Sequence, residues 1–193
     1  MSNTVDARGL NCPLPVILTK RAMEQNPDED IVTVVDNVAA LENVSRLAKG
    51  QNYDVRVEEQ ADHYYIHMTR AGGTCECQVE NHQKVTIMIT SNLFGQGREE
   101  LGQVLMKSFI FTLTEIQSSI TTLIMINSGV YLTTEGSPVL EHLINLEQQG
   151  CEILSCGTCL DYYGMKEKLA VGKVTNMYTA VEKLLGADKS LTL

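Results

Sequence analysis

The sequence predicts an α/β protein of two domains. Residues 1–70 read as a two-layer α+β sandwich in the order βαβαββ, and residues 85–193 as a three-layer α/β/α parallel-sheet domain. Three observations lead there. β-Branched runs alternate with amphipathic stretches along the chain. The first half closes on two consecutive strand patterns, whereas the second keeps strand–helix alternation with short loops, as parallel sheets do. Between them, residues 71–84 are polar and non-periodic and carry Gly72–Gly73 near their start, which marks a linker.

The first domain opens with a short strand at Thr4–Ala7 and a glycine turn at Gly9. Cys12 follows, then Pro13-Leu14-Pro15 and a helical pattern that sets Leu14, Ile17, Leu18 and Ala22 on one face. Proline suits the first helical position, where its missing N–H is no loss, and Pro15 still lies within the first turn. Cys12 is therefore expected at or next to the N-cap, where free N–H groups and the positive helix end favour thiolate over thiol. Such a cysteine is a nucleophile or an acceptor of transferred sulfur. The plainer reading is a helix cap that happens to bear a thiol, although Ser, Thr, Asp and Asn cap better.

Asn26-Pro27 stops this helix, and Ile31–Val35 is a β-branched strand. Asn37 caps a second helix with Val38, Leu41, Val44, Leu47 and Ala48 on its apolar stripe, closed by Gly50. Asp54–Glu59 and Tyr64–Thr69 are strands joined by a turn at Ala61-Asp62-His63. His63 and His67 lie about 13 Å apart on such a strand. That is too far for one small ion, so both are expected on the surface. His82 and His142 have no partner by spacing.

The stretch Gly9-Leu10, then Cys12-Pro13-Leu14-Pro15, resembles the Cys-Pro-x-Pro signature of the TusA/SirA family of small sulfur carriers, over about Val5 to Thr69. The resemblance implies the same sandwich, a persulfide carried on Cys12, and supporting roles for Gly9, Pro13 and Pro15.

Composition bounds the function. The 193 residues include 44% hydrophobic and 20% charged residues, no Trp and only 5% aromatics, so aliphatic side chains build the cores. A net charge of −9 argues against general nucleic-acid binding. There is no charged-then-apolar leader and no run long enough to span a membrane, so a soluble cytoplasmic protein is expected. Six cysteines in that setting signify metal or reactive chemistry more often than a disulfide scaffold. Cys75-x-Cys77 in the linker is tight for a zinc hook, whose usual spacing is two to four residues.

The second domain starts with a strand at Val85–Thr90 and a glycine-containing loop, Ser91–Gly97. That loop is neither a Walker A sequence nor a dinucleotide fingerprint. The next helix carries Glu99 and Glu100 in its first turn and Leu101, Val104, Leu105, Phe109 and Ile110 along one side. Met106, Phe111 and Leu113 make its C-terminal half apolar all round, which points to deep burial or a homo-oligomer formed through this domain. Leu123–Ile126 is a strand, Asn127–Leu132 a loop, and Ser137-Pro138 starts a helix that Gly150 ends. Cys151–Leu154 is a third strand finishing at Ser155-Cys156-Gly157-Thr158-Cys159, with a helix beyond it through Met165 and Lys168. Asn176 caps a last helix, and Ser190–Leu193 reads as an edge strand.

Ligands and reactive groups gather at the carboxyl ends of parallel strands. Cys156, with Gly157 beside it, occupies such an end, its sulfur expected to be exposed at a helix start like that of Cys12. Cys159 follows at the spacing of a dithiol pair. This half resembles the DsrE/DsrF-like sulfur-relay family, whose active cysteine the distance to Gly164 aligns with Cys156; Cys159 is a departure from the simpler members. A TusA-like half joined to a DsrE-like half resembles the sulfurtransferase-like selenium-metabolism family of the YedF type. It shares Gly95-Gln96-Gly97, Asn127-Ser128-Gly129-Val130 and Gly172-Lys173-Val174-Thr175-Asn176-Met177-Tyr178.

What the resemblance implies is a relay that takes a chalcogen onto Cys12 from a cysteine desulfurase or another donor protein and passes it to Cys156 and Cys159. It implies no cofactor and no bound metal, and it names no acceptor. Two other readings stay open. Cys75, Cys77, Cys156 and Cys159 make a four-thiolate set for zinc, and Cys156 with Cys159 make a thiol–disulfide redox centre.

Overall fold

The computed structural model describes residues 3–27, 29–60, 62–70, 83–116 and 120–193. They form two compact units, one within residues 1–77 and the other within 78–193.

In the first unit, Asn3–Asp6 (β1) runs parallel to Ile31–Val35 (β2), connected through the helix Leu14–Gln25 (α1). The helix Val38–Gly50 (α2) leads to a hairpin of Tyr53–Gln60 (β3) and His63–Arg70 (β4). β4 pairs antiparallel with both β2 and β3, giving the order β1-β2-β4-β3. Ile31, Val35, Ile66 and Met68 pack with Ala22, Met23, Ala40, Val44 and Ala48 of the helices. This is the two-layer sandwich expected.

Two details differ from the sequence reading. The buried residues of α1 are Pro15, Ile17, Thr19, Ala22 and Met23, while Leu14 and Leu18 are half-buried. Thr19 takes a core position because its hydroxyl is satisfied there, by the Pro15 carbonyl at 2.7 Å and the Thr33 hydroxyl at 3.0 Å. Gly50 is the last residue of α2, and Asn52, at φ 60°, supplies the left-handed turn beyond it. Asn37 caps α2 as expected, accepting from the Ala40 N–H at 2.8 Å.

The second unit is a five-stranded sheet whose neighbours are all parallel. Its elements are Val85–Ile89 (β5), Glu99–Glu115 (α3), Ile120–Met125 (β6), Leu140–Gln148 (α4), Glu152–Cys156 (β7), Gly157–Tyr162 (α5), Lys173–Thr175 (β8), Met177–Leu185 (α6) and Lys189–Thr192 (β9). The order is β8-β7-β6-β5-β9. Alternation along the strands splits the apolar residues between two faces. Ile87, Ile89, Leu123, Met125 and Ile153 meet Met106, Ile110, Leu143 and Leu160 of α3, α4 and α5. Met88 and Ile124 point the other way, to Ala180 and Leu184 of α6. Helices on both faces give the expected three layers.

The corrections here are local. Leu101, Val104 and Leu105 of α3 face outward, 56%, 62% and 42% exposed, and the buried face is Gly102, Met106, Ile110 and Leu113. Gly102 sets that face: a Cβ there would stand 3.1 Å from the Leu93 Cβ, so the bare backbone seats the helix against Leu93. Asn127–Thr133 is a 3-10 helix rather than a loop. α4 starts beyond Pro138, with the Ser137 hydroxyl accepting from the Val139 N–H at 3.3 Å. The helix expected through Lys168 stops at Tyr162, and a left-handed Gly164 at φ 64° separates it from a 3-10 turn at Lys166–Lys168. β8 was not foreseen, being only three residues long and two-thirds exposed. No helix among the described residues is long and apolar enough to cross a membrane.

Candidate functional site

Each unit offers a thiol at the junction of a strand and a helix. In the first unit the chain leaves β1 through a loop pinned at both ends. The Arg8 guanidinium donates to the Asp6 carboxylate at 2.8 and 2.6 Å and holds that carboxyl down at about 2. Gly9 adopts φ 70°, a conformation that favours glycine, and its N–H donates to Asp36 Oδ2 at 2.6 Å. Asn37 Nδ2 donates to the other oxygen at 3.0 Å. These two donors, Gly9 first, keep the Asp36 carboxyl below its ordinary range. Asp36 and Asn37 thereby tie the start of α2 to the loop that presents Cys12.

Cys12 is exposed and immediately precedes the N-cap of α1, which is Pro13 rather than the first helical residue the sequence suggested. The Cys12–Pro13 peptide bond is cis. The Pro13 carbonyl accepts from the Val16 and Ile17 N–H groups at 3.1 Å, and Pro15, the second helical residue, is buried. Beside the thiol lies a cleft of about 240 Å³, lined by Leu10, Asn11, Pro15 and Val16 from one side and Asn37, Ala40 and Asn43 from the other. Two helix starts thus converge on the space next to the sulfur.

His63 is not the plain surface residue expected. It is half-buried in a groove with Asp6, Arg8, Gly9 and Leu10, and among the described residues no partner meets its buried Nδ1. His67 pairs with Arg56 across the hairpin, and its Nε2 stands 3.6 Å from the Glu58 carboxylate.

In the second unit, Cys156 ends β7, pairs with Thr175 of β8 and caps α5. Its side chain is buried at 5% exposure, contrary to the exposed sulfur expected, because β8 covers that edge of the strand. A Cβ on Gly157 would come within 3.0 Å of Val174 Cγ1, which is how closely β8 lies against the start of α5. Cys159, three residues on within α5, is half-buried. The Asn127 N–H donates to the Cys159 sulfur at 3.1 Å. Burial, and then Cys156, push the Cys159 thiol above its ordinary range, while the Asn127 N–H pulls the other way.

Asn127 is held in turn. It sits at φ 50°, and its Oδ1 accepts from the Tyr163 hydroxyl at 2.8 Å. The Tyr163 ring lies 5.0 Å from that of Tyr131. Below them, the Thr133 and Ser155 hydroxyls bond at 2.7 Å. The fold therefore brings the Asn127 segment to the two cysteines, as expected for loops at strand ends. Ser91–Gly97 instead packs against α3, with the Phe94 N–H donating to the Gly102 carbonyl at 3.0 Å. The sequence places Asn127 in a strand-end loop and in a shared motif without a role of its own, and it does not point to Tyr163. An Asn directly after a strand, able to take the left-handed conformation, was the available signal; Tyr163 gave none.

Cys151 is the fourth described cysteine, and burial pushes its thiol up to about 12. No group of three or more His, Cys, Asp and Glu among the described residues is arranged to hold a metal. Cys75, Cys77 and His82 lie outside the described residues.

A small α+β sandwich that displays one thiol at a helix start, over a cleft shared by two helix N-termini, is a thiol-presenting domain. Residues 3–70 match the family model of sulfurtransferase TusA. The chain is 39% identical over 59 residues to a Methanocaldococcus jannaschii protein named as a sulfur carrier, covering 79% of that protein and 30% of this chain. The chain belongs to the TusA family through this first unit.

Two solved structures are similar to parts of the chain. A SirA-like protein of Desulfitobacterium hafniense is 28% identical, covering 35% of this chain and 95% of its own, with a TM-score of 0.33. The YchN protein of E. coli is 20% identical, covering 57% of this chain and 99% of its own, with a TM-score of 0.47.

Proposed function

We propose that this protein is a sulfur relay in which Cys12 is the entry thiol and the Cys156–Cys159 pair the second station. The observation that carries the reading is the exposed Cys12 at the mouth of its cleft, in a domain of the TusA family. The Cys12 thiolate attacks the outer sulfur of a donor persulfide. The donor's S–S bond breaks, its electron pair leaves on the donor thiolate, and Cys12 carries the sulfur as a persulfide. A thiolate of the second unit takes the sulfur by the same exchange, so neither step needs an outside oxidant. Cys159, less buried than Cys156, is the more approachable of the pair.

Gly9, Pro13 and Pro15 support the presentation of Cys12, and Gly157 the closeness of β8 to the pair. The finer identity is a DsrE-like second half of the YedF type, with a cysteine desulfurase as donor and selenium as alternative cargo. It rests on the motifs shared with those families. Self-association through the second unit is supported by the outward Leu101, Val104 and Leu105 of α3.

The test is intact-protein mass spectrometry after incubation with a cysteine desulfurase and cysteine. Wild type is expected to gain reductant-labile sulfur that Cys12→Ser does not acquire. Equal loading of Cys12→Ser and wild type overturns the assignment. A second reading, a dithiol redox centre, is favoured by the placement of both thiols at the start of α5, Cys156 as its N-cap and Cys159 in its first turn. It predicts instead a Cys156–Cys159 disulfide that forms with no sulfur donor present when oxidised glutathione is added, two glutathione thiols being released for each bond formed.

A further inference from the structure

We propose that Asn127 and Tyr163 are positioning residues for the cysteine pair: Tyr163 fixes Asn127, and the Asn127 N–H stabilises negative charge on the Cys159 sulfur. The use of this device in sulfur transfer rests on the relay reading; the device itself rests on geometry.

Two hydrogen bonds make a chain. The Tyr163 hydroxyl donates to Asn127 Oδ1 at 2.8 Å. The Asn127 N–H donates to Cys159 Sγ at 3.1 Å, 32 residues away in sequence. Cys159 stands three residues from Cys156, the N-cap of the same helix. Asn127 stands in the left-handed region at φ 50°, which asparagine enters more readily than most residues and which its side-chain bond then holds in place. Here the holding group is Tyr163, seated 5.0 Å from Tyr131 and 5.1 Å from Tyr162, ring centre to ring centre. An N–H directed at sulfur is a weak bond to a thiol and a stronger one to a thiolate, since charge on the acceptor strengthens it. It therefore acts mainly on the anion.

The chemistry that needs such a donor is the departure of sulfur. When an attacking thiolate takes the outer sulfur from a Cys159 persulfide, the S–S bond breaks and its electron pair remains on Cys159 as thiolate. A fixed N–H at that atom stabilises the charge where it develops. Cys156, from the end of β7, is the titratable group that acts on Cys159. Asp161 and Lys166 are occupied with each other at 3.1 Å, and Tyr131 and Tyr163 flank Asn127.

The experiment is the pH profile of iodoacetamide alkylation on the full chain, read cysteine by cysteine by peptide mass spectrometry. Tyr163→Phe removes the tether and keeps the ring, so folding is expected to persist. Its Cys159 profile should move to higher pH, with alkylation near pH 8 slowed ~3- to 10-fold, about the worth of one ordinary hydrogen bond, because the N–H is loosened and not removed. Asn127→Gly accepts φ 50° without strain but has no side chain for Tyr163 to hold, so it should behave alike. The double variant should go no further than either single one, because all three break the same tether. A Cys159 profile unmoved by Tyr163→Phe overturns the proposal, as does an equal movement at Cys12. Failure of the relay reading is separate: it appears as sulfur loading independent of Cys12, whichever way the Cys159 profile moves.

Discussion

Asp36 links the end of one strand to the loop that offers Cys12, and its charge is what makes the link firm. Its carboxyl accepts from Gly9 and Asn37 and sits below its ordinary range; Asp6, paired with Arg8, lies at about 2. Both groups bind a proton less readily in the folded chain than in the unfolded one. Their contribution to stability is therefore present above about pH 4 and is lost as pH falls through the folded values toward 2. Urea midpoints of the first unit measured from pH 5 to pH 2 should decline, and Asp36→Asn should flatten that decline. An unchanged slope in the variant would count against the role given to Asp36. At this scale Cys12 was legible in the sequence, because its setting is written in ten consecutive residues from Asp6 to Pro15. The contact of Asn127 with Cys159 was not, because it joins residues 32 positions apart through a backbone N–H that every residue type but proline carries.

At the scale of elements, the seating of the 3-10 helix Asn127–Thr133 depends on Gly129. A Cβ there would stand 2.4 Å from the Ile89 carbonyl oxygen, a backbone atom at the carboxyl end of β5. Gly129→Ala should destabilise the second unit by about 2–3 kcal/mol and lower its denaturant midpoint. A midpoint within error of wild type would show that the segment can shift without loss. Apart from β8 and the 3-10 segments, element order was readable, since hydrophobic period separates strands from helices. The orientation of α3 was not. Its outward Leu101, Val104 and Leu105 are as apolar as its buried side, and the face was decided by Gly102, whose contribution is the absence of a side chain. β8 escaped notice because three residues with one buried side chain carry too little pattern.

At the scale of the whole molecule, those outward leucine and valine side chains are an apolar stripe on a chain of net charge −9. Light scattering of the wild type should give a mass above the 21.3 kDa of one chain. Leu101→Glu with Val104→Glu should bring it to one chain, with thermal stability changed by little, since both positions are exposed. A wild-type mass of a single chain would remove the self-association proposed for this face. The two-domain reading came from a change of rhythm along the sequence; the surface available to partners did not, because hydropathy alone does not distinguish a residue that packs inward from one that packs against another molecule.

The two sheets also differ in how far the chain must travel to complete them. In the first, Asn3 meets Ile31 and Ile31 meets Met68, so every pairing closes over a modest loop. In the second, β5 lies between β6 and β9, and Val85 meets Lys189 across nearly the whole unit. Pairings so distant in sequence form slowly, because loop closure must be met before the contact rewards it. During synthesis the sandwich can therefore complete itself while the parallel sheet still lacks its last strand. Connectivity alone thus gives the molecule a temporal order, in which Cys12 stands in finished structure before the apolar flank of β5 is covered.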